Sequence, residues 1–87
     1  MGRNRRDEIH IDDPLLFEMV KNLCENVKKK RSKLGITQAE LAIGSGLSQN
    51  TVAEIEQGRI ENIRLSTVAA IARGLKAKPL QLLGKMR

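Results

Sequence analysis

The sequence is poor in the residues that stabilise small domains covalently or bind metals. It contains one cysteine, Cys24, and one histidine, His10, in 87 residues. One cysteine cannot form an internal disulfide, and these two residues cannot supply the four ligands of a structural zinc site. Disulfide-stabilised secreted scaffolds and zinc fingers are therefore excluded, and we expect neither a metal nor a cofactor.

Aromatic residues and long hydrophobic runs are also scarce. Phe17 is the only aromatic residue, which argues against modules that stack single-stranded bases on aromatic rings. Apolar runs such as residues 68–72 are far shorter than the ~20 residues that span a bilayer. The N-terminal arginines are not followed by the apolar stretch of a secretory signal. We expect a cytoplasmic protein without a membrane partner.

A catalytic constellation is missing as well. The sequence has no glycine-rich phosphate loop and no pair of acids on a common helix face. With a single histidine and a single cysteine, no set of nucleophile, base and oxyanion donors can be assembled. We therefore predict that the chain is not an enzyme.

Positive charge is abundant. Lys and Arg total 16 against 10 Asp and Glu, which gives a net charge of +6. A basic balance in one small domain points to a polyanionic partner, with nucleic acid first and an acidic membrane surface or acidic protein second.

The apolar pattern begins after a polar N-terminal segment. Residues 1–12 are mixed in charge and are interpreted as a flexible arm, and residues 13–87 as the domain. Asp13 followed by Pro14 is typical of a helix start, and Gly35 is expected to end that helix. The predicted core stripe of this helix consists of Leu16, Val20, Leu23, Val27 and Leu34.

Four further helices follow. Thr37 and Glu40 have the spacing of a capping box at the start of a short second helix. Ser48 is expected to cap a third helix that ends at Gly58. A fourth helix is traced by Leu65, Val68, Ala69, Ile71, Ala72 and Leu75, and Pro79 starts a fifth. Because no stretch reads as a strand, the predicted fold class is all-α.

Residues 38–57 have the pattern of a helix-turn-helix. Two helices that cross steeply at one tight turn need a small residue at the crossing and a residue that tolerates positive φ in the turn. Ala42 and Gly46 meet these needs. Apolar residues must hold the pair on the core, and these are Leu41, Leu47, Val52 and Ile55.

The pattern resembles the lambda-repressor-like, Cro-type (XRE) helix-turn-helix family over about residues 27–83. The start of the family pattern appears as Arg31, Gly35 and the run Thr-Gln-Ala-Glu-Leu-Ala at 37–42. Its end appears as Glu-Gln-Gly at 56–58, and its fourth helix as the apolar stripe from Leu65 to Leu75. The resemblance implies a five-helix DNA-binding domain with the helix-turn-helix at helices 2 and 3.

By this resemblance, the third helix enters the major groove with its N-terminal end first. The amides of Gln49 and Asn50 suit the N6/N7 edge of adenine, and Gln38 matches a phosphate-binding glutamine of the family. The full predicted DNA-binding set is Gln38, Ser48, Gln49, Asn50, Thr51, Ala53, Glu54, Arg59 and Arg64. The alternative for each polar member is an ordinary solvated side chain.

Arg31 and Glu56 match a buried ion pair of the family, which ties the first helix to the recognition helix. We interpret this pair as structural rather than DNA-contacting. If it is buried, removing one partner is expected to cost ~3–5 kcal/mol.

The leading functional prediction is a sequence-specific regulator of transcription, expected to be a repressor, that binds an inverted-repeat operator in double-stranded DNA as a homodimer. The C-terminal Leu80, Leu82, Leu83 and Met86 are the candidate dimer surface, although the core can equally bury them. The alternative is an antitoxin, or another interaction module with a toxin or other protein partner. Residues 48–61 favour this alternative because they carry three acids and one base.

Overall fold

The computed structural model of the chain describes residues 11–60 and 62–85. Over these ranges it consists of five α-helices without a strand, which confirms the predicted all-α class. Their bounds are α1 Pro14–Leu34, α2 Gln38–Ser45, α3 Gln49–Gln57, α4 Leu65–Leu75 and α5 Pro79–Leu83. Met86, Arg87 and nearly all of the predicted arm, residues 1–10, lie outside the described residues. None of the described helices has the length and hydropathy needed to cross a membrane.

The helix ends follow the predicted capping residues. The carboxylate of Asp13 accepts hydrogen bonds from the backbone N–H groups of Leu15 and Leu16, at 2.9 and 3.3 Å. Thr37 and Glu40 form a reciprocal capping box, with bonds of 2.8 and 3.0 Å. These bonds satisfy N–H groups that have no partner within their own helix, and they fix where α1 and α2 begin.

The core lies where the five helices converge. Its largest fully buried side chains are Leu23, Leu41, Ile55, Ile71, Leu82, Val27 and Val52. Gly74 allows α4 to approach α2 closely, because a Cβ at this position would run into Oγ of Ser45 and Cδ1 of Leu41. The helix-turn-helix is therefore seated on α4 as well as on α1.

Two predicted core positions are wrong. Leu34 is 47% exposed and Leu65 is 82% exposed. Leu34 is the last residue of α1 and Leu65 is the first of α4. Each belongs to the apolar stripe of its helix, but it lies at the helix end, where no neighbouring helix covers it. Periodicity defines a face of a helix but not how far along that face the neighbouring helices extend.

The fifth helix is held against α1 by two asparagines that periodicity does not reveal. Nδ2 of the buried Asn26 lies 2.7–3.1 Å from the carbonyl oxygens of Gln81, Leu82 and Gly84. Nδ2 of Asn22 donates to the carbonyl of Leu83 at 3.1 Å. These side chains provide partners for the C-terminal carbonyls of α5, and with them Leu82 is drawn into the core at 0% exposure.

Candidate nucleic-acid interface

The turn between α2 and α3 has the backbone that its sequence predicts. Gly46 adopts φ 71°, in the left-handed region, where a residue without Cβ is unstrained. The N–H of Leu47 donates to the carbonyl of Ala42 at 2.9 Å, and Ala42 is buried. This closes the turn tightly enough for α3 to cross α2 at once.

The third helix has one face in the core and one end in solvent. Val52 and Ile55 are fully buried, whereas Gln49 and Asn50 in the first turn are exposed. Neither amide has a hydrogen-bond partner among the described residues. Their donors and acceptors are thus available to another molecule.

The cap of α3 is formed by two of the predicted DNA-binding residues. Oγ of Ser48 accepts from the N–H of Thr51 at 3.1 Å and lies 2.8 Å from the Thr51 hydroxyl. The structure thus gives both side chains a local role at the helix start. Ala53 and Glu54 on the next turn are half-buried.

The last turn of α3 is tied to α1 by an ion pair. The Arg31 guanidinium donates through Nε to Oε2 of Glu56 at 2.6 Å and through Nη2 to Oε1 at 3.0 Å. The Glu56 side chain is 4% exposed and the Arg31 side chain 20%. The hydrogen bonds to Glu56 raise the pKa of Arg31 above its ordinary value. A third bond, from Nη1 to the carbonyl of Ile36 at 2.9 Å, fixes the guanidinium beside the start of α2.

Gln38 belongs to the same cluster. Its Nε2 donates to Oε1 of Glu56 at 3.0 Å, so the first residue of α2 is linked to the last turn of α3. The structure therefore brings the predicted phosphate ligand together with the predicted structural pair. The second Nε2 hydrogen and the carbonyl oxygen of Gln38 are not used in this bond.

Cys24 provides a further link that sequence reasoning missed. Its thiol lies 2.6 Å from the carbonyl oxygen of Glu56 and donates to it, which satisfies one of the free carbonyls at the end of α3. Burial raises the pKa of the Cys24 thiol above its ordinary value of 9.0, so the proton that this bond needs is retained. Nothing in the local sequence signals the contact, because it joins residues 32 positions apart.

The two predicted arginines lie on either side of the loop after α3. Both are exposed, and Nη1 of Arg59 donates to Oε1 of Gln57 at 2.7 Å. Arg64 is the N-cap residue of α4 and makes no side-chain cap bond. It borders a shallow groove between α3 and α4 that Thr51 and Thr67 also line.

Among the described residues, no three His, Cys, Asp or Glu side chains are grouped so that they could hold a metal ion. The site is the exposed start of α3 with two free amides, and the last turn of the same helix is held by the ion pair with α1. The helix-turn-helix family profile matches residues 27–83. The chain belongs to the XRE-type helix-turn-helix family.

Two solved structures of regulators are similar to this family member. One is the restriction-modification controller protein C.AhdI from Aeromonas hydrophila, with 27% identity and a TM-score of 0.67 over 72% of this chain and 94% of that chain. The other is the clp gene regulator ClgR from C. glutamicum, with 30% identity and a TM-score of 0.66 over 82% of this chain and 87% of that chain. No curated protein matches the sequence. The segment that the family profile matches begins at residue 27, within α1.

Proposed function

We propose that this helix-turn-helix protein is a sequence-specific regulator of transcription that represses by occupying an inverted-repeat operator as a homodimer. The proposal rests on one observation: the residues that anchor α3 in the protein are different from those that it exposes at its start. Val52, Ile55 and Glu56 hold the helix, while Gln49 and Asn50 project without partners from its first turn.

The chemistry of this exposed end suits base recognition. A Gln or Asn amide can bond both N6 and N7 of adenine in the major groove, and each good bidentate contact is worth about 1–3 kcal/mol of discrimination against a wrong base. Gln38 at the start of α2, together with Arg59 and Arg64 after α3, supplies candidates for phosphate contacts that fix the register.

Dimerisation is inferred from the few base pairs that one recognition helix can read. One helix-turn-helix reads only a few base pairs, and two half-sites related by a two-fold axis give the specificity that an operator needs. The proposed mode of action is simple occupancy of the operator. Catalysis and a cofactor play no part in it.

The test is selection of bound sites from a randomised DNA duplex pool at near-physiological salt, since phosphate contacts are salt-sensitive. We expect an enriched inverted repeat with the parent chain. With Gln49→Ala/Asn50→Ala we expect the enrichment to disappear while the melting temperature stays within about 2 °C, because exposed side chains contribute little to stability.

The matched control is Lys21→Ala/Glu25→Ala. It also replaces two exposed polar side chains and leaves the net charge unchanged, but it lies on α1, where the two charges are 3.9 Å apart. This variant should select the same repeat as the parent. If the folded parent selects no sequence, the operator-binding proposal is wrong and the interaction-module alternative, with a toxin or another protein partner, gains support.

A further inference from the structure

Two exposed apolar patches of opposite charge lie on the surface away from α3. The α1 patch consists of Leu15 and Met19, which are 68% and 38% exposed. Its charged neighbours within residues 11–20 are Asp12, Asp13 and Glu18, and this stretch contains no Lys or Arg.

The α5 patch is the counterpart. Its centre is Leu80, 83% exposed, and it is surrounded by the exposed Lys76, Lys78 and Lys85. Residues 74–85 contain no Asp or Glu. One chain thus carries an acidic apolar patch and a basic apolar patch.

The two helices that carry the patches are hydrogen-bonded to each other. With 100° per residue, Leu15 and Met19 share a face of α1 with Asn22 and Asn26, the two residues that hold α5. A rise of 1.5 Å per residue places Leu15 about 10 Å from Asn22 along the helix. Because Leu15 and Leu80 remain so exposed, neither patch covers the other within one chain.

We propose that the patches meet between two copies of this chain, with the α1 patch of each copy packed on the α5 patch of the other around a two-fold axis. The inference rests on the proposed homodimeric function and names its interface. In a two-fold dimer every contact occurs twice, so the α1 patch of each copy can pack on the α5 patch of the other. A chain that carries both complementary patches on adjacent helices can therefore pair with a second copy of itself.

Charge also argues against the simpler pairing of α5 with α5, the surface suggested by Leu80, Leu83 and Met86. That pairing would bring lysines against lysines, and like charges across an interface are unfavourable. Leu83 is also partly covered, because it packs against the core of its own chain. The α1 patch lies outside the segment that the family profile matches.

The test is sedimentation equilibrium of the full chain. We expect Leu15→Ser and Leu80→Ser each to raise the dimer Kd at least tenfold, since each substitution removes two apolar contacts from a two-fold interface. Ile43→Ser is the matched control: Ile43 is 82% exposed but lies on α2, and its loss should leave the Kd unchanged.

Exchanging the charges of the two patches distinguishes the α1–α5 interface from an α5–α5 interface. Glu18→Lys and Lys78→Glu should each weaken the dimer severalfold, and the chain carrying both should return to within about twofold of the parent, because the two signs are then exchanged on facing patches. Circular dichroism checks that every variant is folded.

If Leu15→Ser and Glu18→Lys leave the Kd unchanged while Leu80→Ser raises it, the dimer forms through α5 alone. The α1–α5 interface is then wrong, although a dimeric regulator is not. A parent chain that remains monomeric at all concentrations overturns the interface too, whereas sequence selection from the duplex pool judges DNA recognition independently.

Discussion

Truncating Arg31 tests whether the ion pair with Glu56 holds the recognition helix. Arg31→Ala removes the bonds of 2.6 and 3.0 Å to the carboxylate and the 2.9 Å bond to the carbonyl of Ile36. Glu56, which is 4% exposed in the parent chain, then keeps the Gln38 amide as its remaining side-chain donor among the described residues.

The expected loss of stability is about 3 kcal/mol. Breaking a buried pair costs roughly 3–5 kcal/mol because it isolates a charge. We place this pair at the lower end, since the Arg31 side chain is 20% exposed and Gln38 still donates to Glu56. For a domain of this size, about 3 kcal/mol corresponds to a fall in melting temperature of roughly 12–24 °C.

Urea unfolding followed by circular dichroism at 25 °C measures the loss as a free energy. The matched control is Lys21→Ala, which breaks the 3.9 Å pair with Glu25 on the surface of α1, where both side chains are half exposed. Pairs of this kind contribute about 0–1 kcal/mol.

A double-mutant cycle identifies the cause of the loss. If the cost of Arg31→Ala comes from the isolated carboxylate, Arg31→Ala/Glu56→Ala should lose less than the sum of the single variants. A loss below about 1 kcal/mol for Arg31→Ala, equal to that of the surface control, would refute the reasoning.

Two further predictions concern contacts of α1. Asn26→Ala should cost about 2–3 kcal/mol, because buried carbonyls of α5 lose their donor, and should accelerate amide hydrogen exchange in α5. Asn22→Ala removes a single half-buried bond and should cost about 1 kcal/mol. If the two variants lose the same free energy of unfolding in urea, Asn26 does not hold α5 more strongly than Asn22. For Cys24, burial raises the pKa of the folded thiol above 9.0, so its contribution to the free energy of unfolding is full below about pH 9 and falls as pH rises through the folded pKa. Urea unfolding at about pH 8 and about pH 10 should therefore show a steeper loss in the parent than in Cys24→Ala, and parallel losses would mean that the thiol does not titrate differently on folding.

Local signals of the sequence predicted the helix starts and the turn. Asp13, Thr37 and Ser48 cap helices as expected, because a cap depends on residues two or three positions away. Gly46 was predictable for the same reason, since a tight turn requires its backbone conformation at that position. These features need no knowledge of the distant chain.

Contacts between distant residues were not predictable from composition or periodicity. The hydrogen bonds from Asn26 to the end of α5 and the bond from Cys24 to Glu56 join residues 32 to 58 positions apart. No local pattern in the sequence marks these contacts. The pairing of Arg31 with Glu56 was expected only through the family resemblance. The exposure of Leu34 and Leu65 escaped prediction because the neighbouring helices end before these positions.

The separation of the anchoring residues of α3 from its exposed amides affects how easily the sequence at the start of this helix can change. The residues that anchor the helix and the two free amides at its start do not overlap, so new codons at positions 49 and 50 require no compensating changes in the interior. Under the proposed function, a duplicated gene could then acquire a new operator in one or two mutational steps while its product folds as before. Under the proposed function, exchanging Gln49 and Asn50 would therefore change the DNA sequence that is recognised while the scaffold stays the same.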